Sequence, residues 1–212
     1  MATIIFGALC AAAVAVLLWG EYREDRRVVW AAKPAASVFF VLTAISAGAL
    51  ASTYGLWVLA ALILCMAGDI LLIPKGEKSF LAGMGAFAAG HLAYVGAFAS
   101  GGPSFSPLFF AGAAGMAIFA LLSLRWLWPH LGAFRAPVAA YTTIIAIMVA
   151  ASFLASPPGH AAPSMLVIIG AAGFAVSDLA VARDRFVAPG FFNRLWGLPL
   201  YYGAQLLLAA SV

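Results

Sequence analysis

Two aspartates stand in otherwise apolar stretches of the sequence, where an ionisable side chain is unexpected. Asp69 and Asp178 each follow a long apolar run, and each precedes a basic loop, at Lys75 and Arg183, by about five residues. If the runs are membrane helices, which rise by about 1.5 Å per residue, each carboxylate lies roughly 8 Å below its helix end. Two carboxylates at matching depth on different helices would converge on one cavity.

A charged side chain near the centre of a bilayer costs roughly 2.5–3.5 kcal/mol on insertion scales, so it normally faces a water-filled cavity or the protein interior. Carboxylates in such a cavity suit acid–base catalysis or proton carriage. A structural alternative is that Asp69 and Asp178 each pair with a cation, such as Lys33 or an arginine, or accept a hydrogen bond from a backbone amide or a hydroxyl. The matched positions of the two residues favour a functional site.

Other polar residues in apolar surroundings are candidates for the same site. His91 lies about twelve residues into an apolar run, and Tyr94 shares its face one helical turn later. An intramembrane histidine is either a site residue or a hydrogen-bond partner between helices. Tyr141 is either an interfacial anchor or a hydroxyl of the pocket.

The end of the chain supplies three more candidates. Tyr201, Tyr202 and Gln205 form a polar patch about one helical turn long. Gln205 needs a hydrogen-bond partner in an apolar helix, so it is predicted to face inward. Lys33 is predicted to begin the second helix, where it would either extend to the membrane surface or contribute to the site.

The sequence predicts no metal and no cofactor. The histidines, His91, His130 and His160, are dispersed, and no His-x-x-x-His pair is present, although zinc sites commonly use such spacings. The sequence also has no Gly-rich phosphate loop, nucleophile elbow or dinucleotide fingerprint. A metal-dependent hydrolase that uses His91 with the two aspartates stays open as an alternative.

Membrane helices have to position these candidates. Hydrophobic residues make up 66% of the 212 residues and charged residues 8%, whereas a soluble domain averages about 45–50% apolar and about 25% charged. Each span needs roughly 20 apolar residues. We therefore predict an all-α polytopic membrane bundle of about eight transmembrane helices, in a single domain of residues 1–212. The apolar runs lie at about 2–20, 35–53, 56–73, 79–99, 106–128, 136–155, 163–182 and 195–211.

The loop charges predict an orientation. Loops after the first, third, fifth and seventh runs contain lysine and arginine, whereas loops after the second, fourth and sixth contain neither. Basic loops face the cytoplasm, so both termini are predicted to lie outside, in a bacterial inner membrane. The net charge of +4 comes from these short clusters and does not indicate nucleic-acid binding.

A faint internal repeat is visible. Lys33-Pro34 and Arg135-Ala-Pro137 are predicted to open the second and sixth helices, and Gly68-Asp69 and Ser177-Asp178 stand near the ends of the third and seventh. Such a repeat would be a parallel duplication of four plus four helices, of a kind known in transporters.

Five short motifs, in order, resemble those of the YhhN family. They cover residues 33 to 205, and each is weak alone. Leu200 departs from the family pattern, which has a hydroxyl residue before the tyrosines. The motifs are Lys33-Pro34, Gly68-Asp69-Ile-Leu-Leu, Phe80-Leu-Ala-Gly83 with Phe87, His91 and Tyr94, Ser177-Asp178, and Tyr201-Tyr202-Gly-Ala-Gln205.

The resemblance implies a membrane hydrolase. The family includes the mammalian lysoplasmalogenases, which hydrolyse the vinyl ether bond of lysoplasmalogens to a fatty aldehyde and a glycerophospho-base. The substrate would be this lipid, or a related lysolipid, taken from the bilayer. Hydrolysis starts with protonation of the carbon β to the ether oxygen, and water then attacks the oxocarbenium ion. Paired carboxylates divide such work in glycosidases, so Asp69 and Asp178 would be the acid and the base, in an order left open.

On the same hypothesis, Lys33 attracts the lipid phosphate, and the other candidates bind substrate or water. A proton-coupled carrier of small solutes is the alternative from another class, because repeats, intramembrane carboxylates and a buried histidine suit transport. The candidate substrate-binding residues are Lys33, His91, Tyr94, Tyr141, Tyr201, Tyr202 and Gln205.

Overall fold

The computed structural model describes residues 1–102, 105–155 and 164–212. In this part of the chain there are eight long helices and no strand, as the apolar runs predict. His160 lies outside the described residues. The helices are α1 Ala2–Tyr22, α2 Arg26–Ala47, α3 Thr53–Leu71, α4 Glu77–Ala99, α5 Pro107–Leu127, α6 Arg135–Ser152, α7 Met165–Ala182 and α8 Phe191–Ala209.

The helices have lengths and surfaces that suit a bilayer. Among the described residues, α1 to α7 are each long and apolar enough to cross a membrane. The outward surface is rich in large apolar side chains, with Ile4 78% and Leu121 67% exposed. Helix α8 is less apolar because it contains Asn193 and Arg194 as well as the tyrosine–glutamine patch. The chain is therefore an all-α integral membrane protein, as predicted.

Helix α2 begins at Arg26, well before residue 35, so the prediction that Lys33-Pro34 opens it is wrong. The Asp25 side chain caps the helix by accepting hydrogen bonds from the backbone N–H groups of Arg27 and Val28, at 2.9 and 3.3 Å. An aspartate at this position satisfies donors that have no partner within the helix. The start is thus fixed by a cap inside a charged segment, and Lys33 lies about two turns into the helix.

The two aspartates stand at different distances from their helix ends. Helix α3 ends at Leu71, so Asp69 is in its last turn, because Pro74 follows and disfavours helix before it. Helix α7 runs on to Ala182 and then continues as a π-helical turn over Arg183–Val187. The predicted equal depth below a helix end is therefore wrong for Asp69, which is closer to its end.

A glycine brings two backbones close together in each of the helix pairs α3–α4 and α7–α8. A Cβ added at Gly90 of α4 would lie 3.2 Å from the carbonyl oxygen of Ala61 in α3, and one at Gly170 of α7 would lie 3.2 Å from that of Ala204 in α8. Ala61 and Gly170 are as far apart in sequence as the two aspartates, but their partners Gly90 and Ala204 are five residues further apart. The contacts therefore do not establish a common register, and the four-plus-four repeat stays a prediction.

Candidate active site

A cavity of about 690 Å³ extends from the loops at one end of the bundle to both aspartates. Its inner wall contains Asp69, Asp178, Tyr141 and Tyr201. Charged side chains line the loop end, and apolar side chains line the part beside α4, α5 and α6. The loop-end group includes Glu24, Lys75, Arg185 and Arg194, and the apolar group includes Met84, Phe87, Met116, Phe119 and Ile145.

Asp69 is enclosed by groups that compensate a negative charge. Its side chain is 2% exposed, and Lys33 Nζ lies 3.5 Å from its Oδ1. Its Oδ2 accepts hydrogen bonds from Ser37 Oγ of α2 and Tyr201 Oη of α8, both at 2.8 Å. Tyr202 lies just outside this group and donates to the backbone carbonyl of Lys33 at 3.3 Å. A buried ion that lacked such partners would be strongly destabilising.

A chain of hydrogen bonds leads from α4 to Asp69. Tyr94 Oη donates to Gln205 Oε1 at 2.7 Å, and Gln205 Nε2 donates to Tyr201 Oη at 3.2 Å. Tyr201 then donates to Asp69, so every bond points toward the carboxylate. Bonds aligned in this way polarise one another in a medium of low dielectric constant. Tyr94 and Gln205 therefore hold Tyr201 in place from behind the cavity wall.

Asp178 has fewer partners than Asp69 and is more exposed to solvent. Its side chain is 17% exposed, and Tyr141 Oη of α6 donates to its Oδ2 at 3.1 Å. His91 Nε2 of α4 lies 3.2 Å from Tyr141 Oη and 3.6 Å from the same Oδ2. The histidine, the tyrosine and the carboxylate thus form a triangle, and Oδ1 of Asp178 accepts no side-chain hydrogen bond from the described residues.

His91 is fully buried, and its Nδ1 has no hydrogen-bond partner among the residues that the structure describes. A buried N–H without a partner is rarer and more costly than a buried acceptor without one. The tautomer with its hydrogen on Nε2 avoids that cost and directs a donor at Tyr141 and Asp178. His91 does not line the cavity itself. It contacts Tyr141 and Asp178 from the side that faces away from the cavity.

Phe174 of α7 packs against a partner of each aspartate. Its ring centre is 4.5 Å from that of His91 and 5.2 Å from that of Tyr201. Phe87 packs edge-on against Phe174 and Tyr201, at 6.1 and 5.8 Å. The two polar clusters thus share one cavity but are separated by aromatic rings, so each carboxylate keeps its own set of partners.

The structure groups the predicted residues into two sets. Lys33, Tyr201 and Tyr202 lie at Asp69, with Tyr94 and Gln205 behind them. His91 and Tyr141 lie at Asp178. Within the described ranges no group of three or more His, Cys, Asp or Glu side chains could hold a metal ion.

The sequence matches a model of a known family over most of its length. The YhhN family model matches residues 28–212 of the sequence. The chain belongs to the YhhN family. This confirms the resemblance seen in the five motifs.

Several named relatives of this YhhN chain are lysoplasmalogenases. It is 31% identical over 163 residues to the lysoplasmalogenase of Mycobacterium bovis, covering 73% of the chain and 59% of the relative. It is also 31% identical over 164 residues to lysoplasmalogenase TMEM86A of Bos taurus, covering 71% and 62%. The chain thus spans about three fifths of the length of these relatives. No solved structure matches it.

Sequence reasoning about this YhhN protein missed three residues. Ser37 gives no signal, because a serine in a helix usually bonds its own backbone, as Ser177 does with Phe174 at 2.7 Å. Phe174 is one apolar residue among many. Arg185 lies in a basic loop that the charge pattern explained as a topology signal, yet it lines the cavity.

Proposed function

We propose that this YhhN chain hydrolyses the vinyl ether bond of a lysoplasmalogen, or of a related lysolipid, to a fatty aldehyde and a glycerophospho-base. The observation that carries the proposal is the cavity, which places Asp69 and Asp178 on one wall between an apolar region and a charged end. The names of the relatives support the same reaction. A lysolipid has the matching parts, namely a hydrocarbon chain, a reactive ether and a charged head group.

The two aspartates have different roles in this proposal. Asp69 is the anion, because Lys33, Ser37 and Tyr201 all compensate a negative charge on it. Asp178 is the acid, because among the described residues no lysine or arginine lies within 4.0 Å of it and its Oδ1 is available to face substrate. In place of the phosphate role suggested for Lys33 by the sequence, the proposal gives this lysine the task of holding Asp69 ionised.

The reaction proceeds in two steps. Asp178 gives its proton to the carbon β to the ether oxygen, which converts the vinyl ether to an oxocarbenium ion near the Asp69 carboxylate. Water then adds to the α carbon and loses a proton to Asp178, and the resulting hemiacetal splits into aldehyde and alcohol. The sum is one vinyl ether and one water converted to one aldehyde and one alcohol, with both carboxyl groups restored.

Fixed charges in the site account for the expected increase in the rate of vinyl ether hydrolysis. A fixed anion beside a developing cation stabilises the transition state without reorganising, and a positioned acid contributes roughly 10²–10⁴-fold. Tyr141 and His91 orient the Asp178 carboxyl group, and the apolar wall formed by Met116 and Phe119 receives the alkenyl chain.

The test is aldehyde release from lysoplasmalogen by purified protein in detergent, with Asp69→Asn and Asp178→Asn compared with wild type. Both variants should lose turnover and keep a folded elution profile, although Asp69→Asn is also expected to be less stable because it breaks the ion pair with Lys33. Glu77→Gln is the matched control, because Glu77 is an acidic residue at the start of α4 that does not line this cavity. Wild-type turnover in both aspartate variants would refute the paired-carboxylate site.

Deuterated water provides a second, independent readout. Protonation by an acid that exchanges with solvent places one deuterium on the carbon next to the aldehyde group. Mass spectrometry of the product from a reaction in D2O should therefore show a gain of one mass unit. A product without deuterium at that carbon would exclude protonation of the double bond as the first step.

A proton-coupled carrier is the second candidate function. The two carboxylates within apolar helices favour it, because intramembrane carboxylates are common in transporters. A carrier would move solute into proteoliposomes down a proton gradient and leave it chemically unchanged. Flux without aldehyde release would favour this function over hydrolysis.

A further inference from the structure

The loop end of the cavity holds an arginine on an aromatic surface. The guanidinium carbon of Arg185 lies 4.8 Å from the ring centre of Phe80 and 5.8 Å from that of Phe134. Phe186 packs against both rings, at 5.7 and 5.4 Å between centres. We call these three rings the aromatic shelf. Ring faces attract a cation without neutralising it, so the shelf positions the guanidinium and leaves its donors available.

Of the other cations that line the cavity, Lys33 and Arg194 are paired with carboxylates, whereas Arg26 and Lys75 have none within 4.0 Å among the described residues. Lys33 lies 3.5 Å from Asp69, and Arg194 contacts Glu21 at 3.0 Å and Asp184 at 3.2 Å. Arg185 has no carboxylate within 4.0 Å among the residues that the structure describes. Its charge is therefore available to a ligand that enters the cavity.

We propose that Arg185 binds the phosphate of a lysophospholipid whose hydrocarbon chain occupies the cavity, with Lys75 as a weaker second cation. The proposal rests on the proposed function and specifies its substrate class. Guanidinium presents a planar set of donors that matches two oxygens of one phosphate. Lys75 is exposed and lines the same end of the cavity, just before α4.

The position of Arg185 gives a reason for the orientation of the substrate. In a lysoplasmalogen the phosphate and the vinyl ether are attached to opposite ends of the glycerol. A phosphate held at the loop end therefore directs the ether inward, toward the wall that contains Asp69 and Asp178.

Binding of ligands that cannot react tests the site directly. The probes are 1-alkyl lysophosphatidylethanolamine, whose saturated ether is inert, and 1-alkylglycerol, which lacks the phosphate. Arg185→Gln should raise the Kd of the phosphate-bearing lipid about tenfold, as expected for the loss of a charge-assisted hydrogen bond. The Kd of 1-alkylglycerol should not change. Lys75→Gln should have a smaller effect of the same kind.

Arg135→Gln is the matched control. Arg135 also stacks on an aromatic ring, with its guanidinium carbon 5.3 Å from the centre of Trp128, but it does not line the cavity. Its substitution should leave both Kd values unchanged. Arg185→Lys should fall between wild type and Arg185→Gln, because an ammonium keeps the charge but loses the planar set of donors.

Three outcomes would overturn the proposal. The first is an unchanged Kd for the lysophospholipid in Arg185→Gln, and the second is an equal loss for both lipids, which indicates a general anchor. The third is competition by inorganic phosphate as strong as by the lysolipid, which identifies free phosphate as the ligand. Since the probes are inert, a wild-type protein that binds them but releases no aldehyde refutes the proposed reaction and leaves the phosphate site standing.

Discussion

The two aspartates lie on different helices, α3 and α7, and have different neighbours. Asp69 of α3 contacts α2 and α8, and Asp178 of α7 contacts α6 and α4. These would be equivalent helices in the four-plus-four repeat that the sequence predicts. Asp69 faces a lysine and is 2% exposed, whereas Asp178 faces a tyrosine and a histidine and is 17% exposed. The surrounding side chains thus give the two carboxylates different environments.

The largest expected effect is the loss of kcat in Asp178→Asn, which tests the role of Asp178 as the acid. Asp178→Asn removes the proton donor but keeps the shape of the side chain, so kcat should fall by about 10³-fold, within the usual range for a general acid. Binding of the inert lysolipid and the unfolding temperature should stay close to wild type, because Asp178 has few partners to lose. Steady-state aldehyde release checks the first expectation, and titration of inert ligand checks the second. Unchanged kcat would contradict the assignment.

The Asp69 half should respond in stability as well as in turnover. Asp69→Asn leaves Lys33 without its carboxylate, and Lys33→Met leaves Asp69 without its cation. Breaking a buried ion pair from one side is expected to lower the free energy of unfolding by about 3 kcal/mol.

The double variant Lys33→Met with Asp69→Asn should be less destabilised than the sum of the two single variants, because no charge is then left alone. Denaturant unfolding in detergent measures all three. If the losses in the free energy of unfolding add up in the double variant, Lys33 and Asp69 are not coupled. Asp69 would then not differ from Asp178 in having a stabilising ion pair.

The sequence predicts the long helices of the described residues and both aspartates. It does not predict which of the other candidate residues contacts which aspartate. Apolar runs locate all eight helices because lipid requires long apolar segments. The start of α2 escapes prediction because hydropathy does not detect the Asp25 cap. Tyr141 and Tyr201 are both visible as candidates, yet their assignment to different aspartates depends on the rotation of α6 and α8, which no local pattern specifies. Arg185 is not predicted as a site residue, because the membrane orientation already explains why its loop is basic.

Two tyrosine-to-phenylalanine substitutions compare the surroundings of the two aspartates, and each removes only one hydroxyl group. Tyr141→Phe removes a donor to Asp178 at 3.1 Å, so kcat should fall about tenfold, since the acid is less well oriented. Tyr201→Phe removes a donor to Asp69 and leaves Gln205 Nε2 without its acceptor. That loss should lower the free energy of unfolding by about 2 kcal/mol.

Paired measurements of kcat and unfolding for both tyrosine variants decide this comparison. The expected pattern is a kinetic effect for Tyr141 and a stability effect for Tyr201. The reverse pattern would make Asp69 the reacting group and Asp178 the structural one.

The smallest expected effect concerns the helix contacts behind each aspartate. A Cβ at Gly197 would lie 2.5 Å from Ala180 Cβ, and one at Gly83 would lie 2.6 Å from Leu72 Cδ2. The leucine methyl can rotate away, whereas the alanine cannot, so α7 and α8 must separate. Gly197→Ala should therefore destabilise the protein by about 1 kcal/mol, and Gly83→Ala should do so less. Gly173→Ala is the control, because its new Cβ would lie at an ordinary 3.4 Å from Ala204 Cβ.

Thermal unfolding of these glycine variants, together with kcat, shows whether helix spacing acts on Asp178. Gly197 packs against α7 beside Ser177 and Ala180, so a separation of α7 from α8 also moves the backbone that carries Asp178. A fall in kcat that is larger for Gly197→Ala than for Gly83→Ala, at equal expression, would show that the Asp178 half is the one where position limits turnover. Equal effects in both variants would mean that the two halves contribute alike and that the roles of the aspartates are not separated by packing.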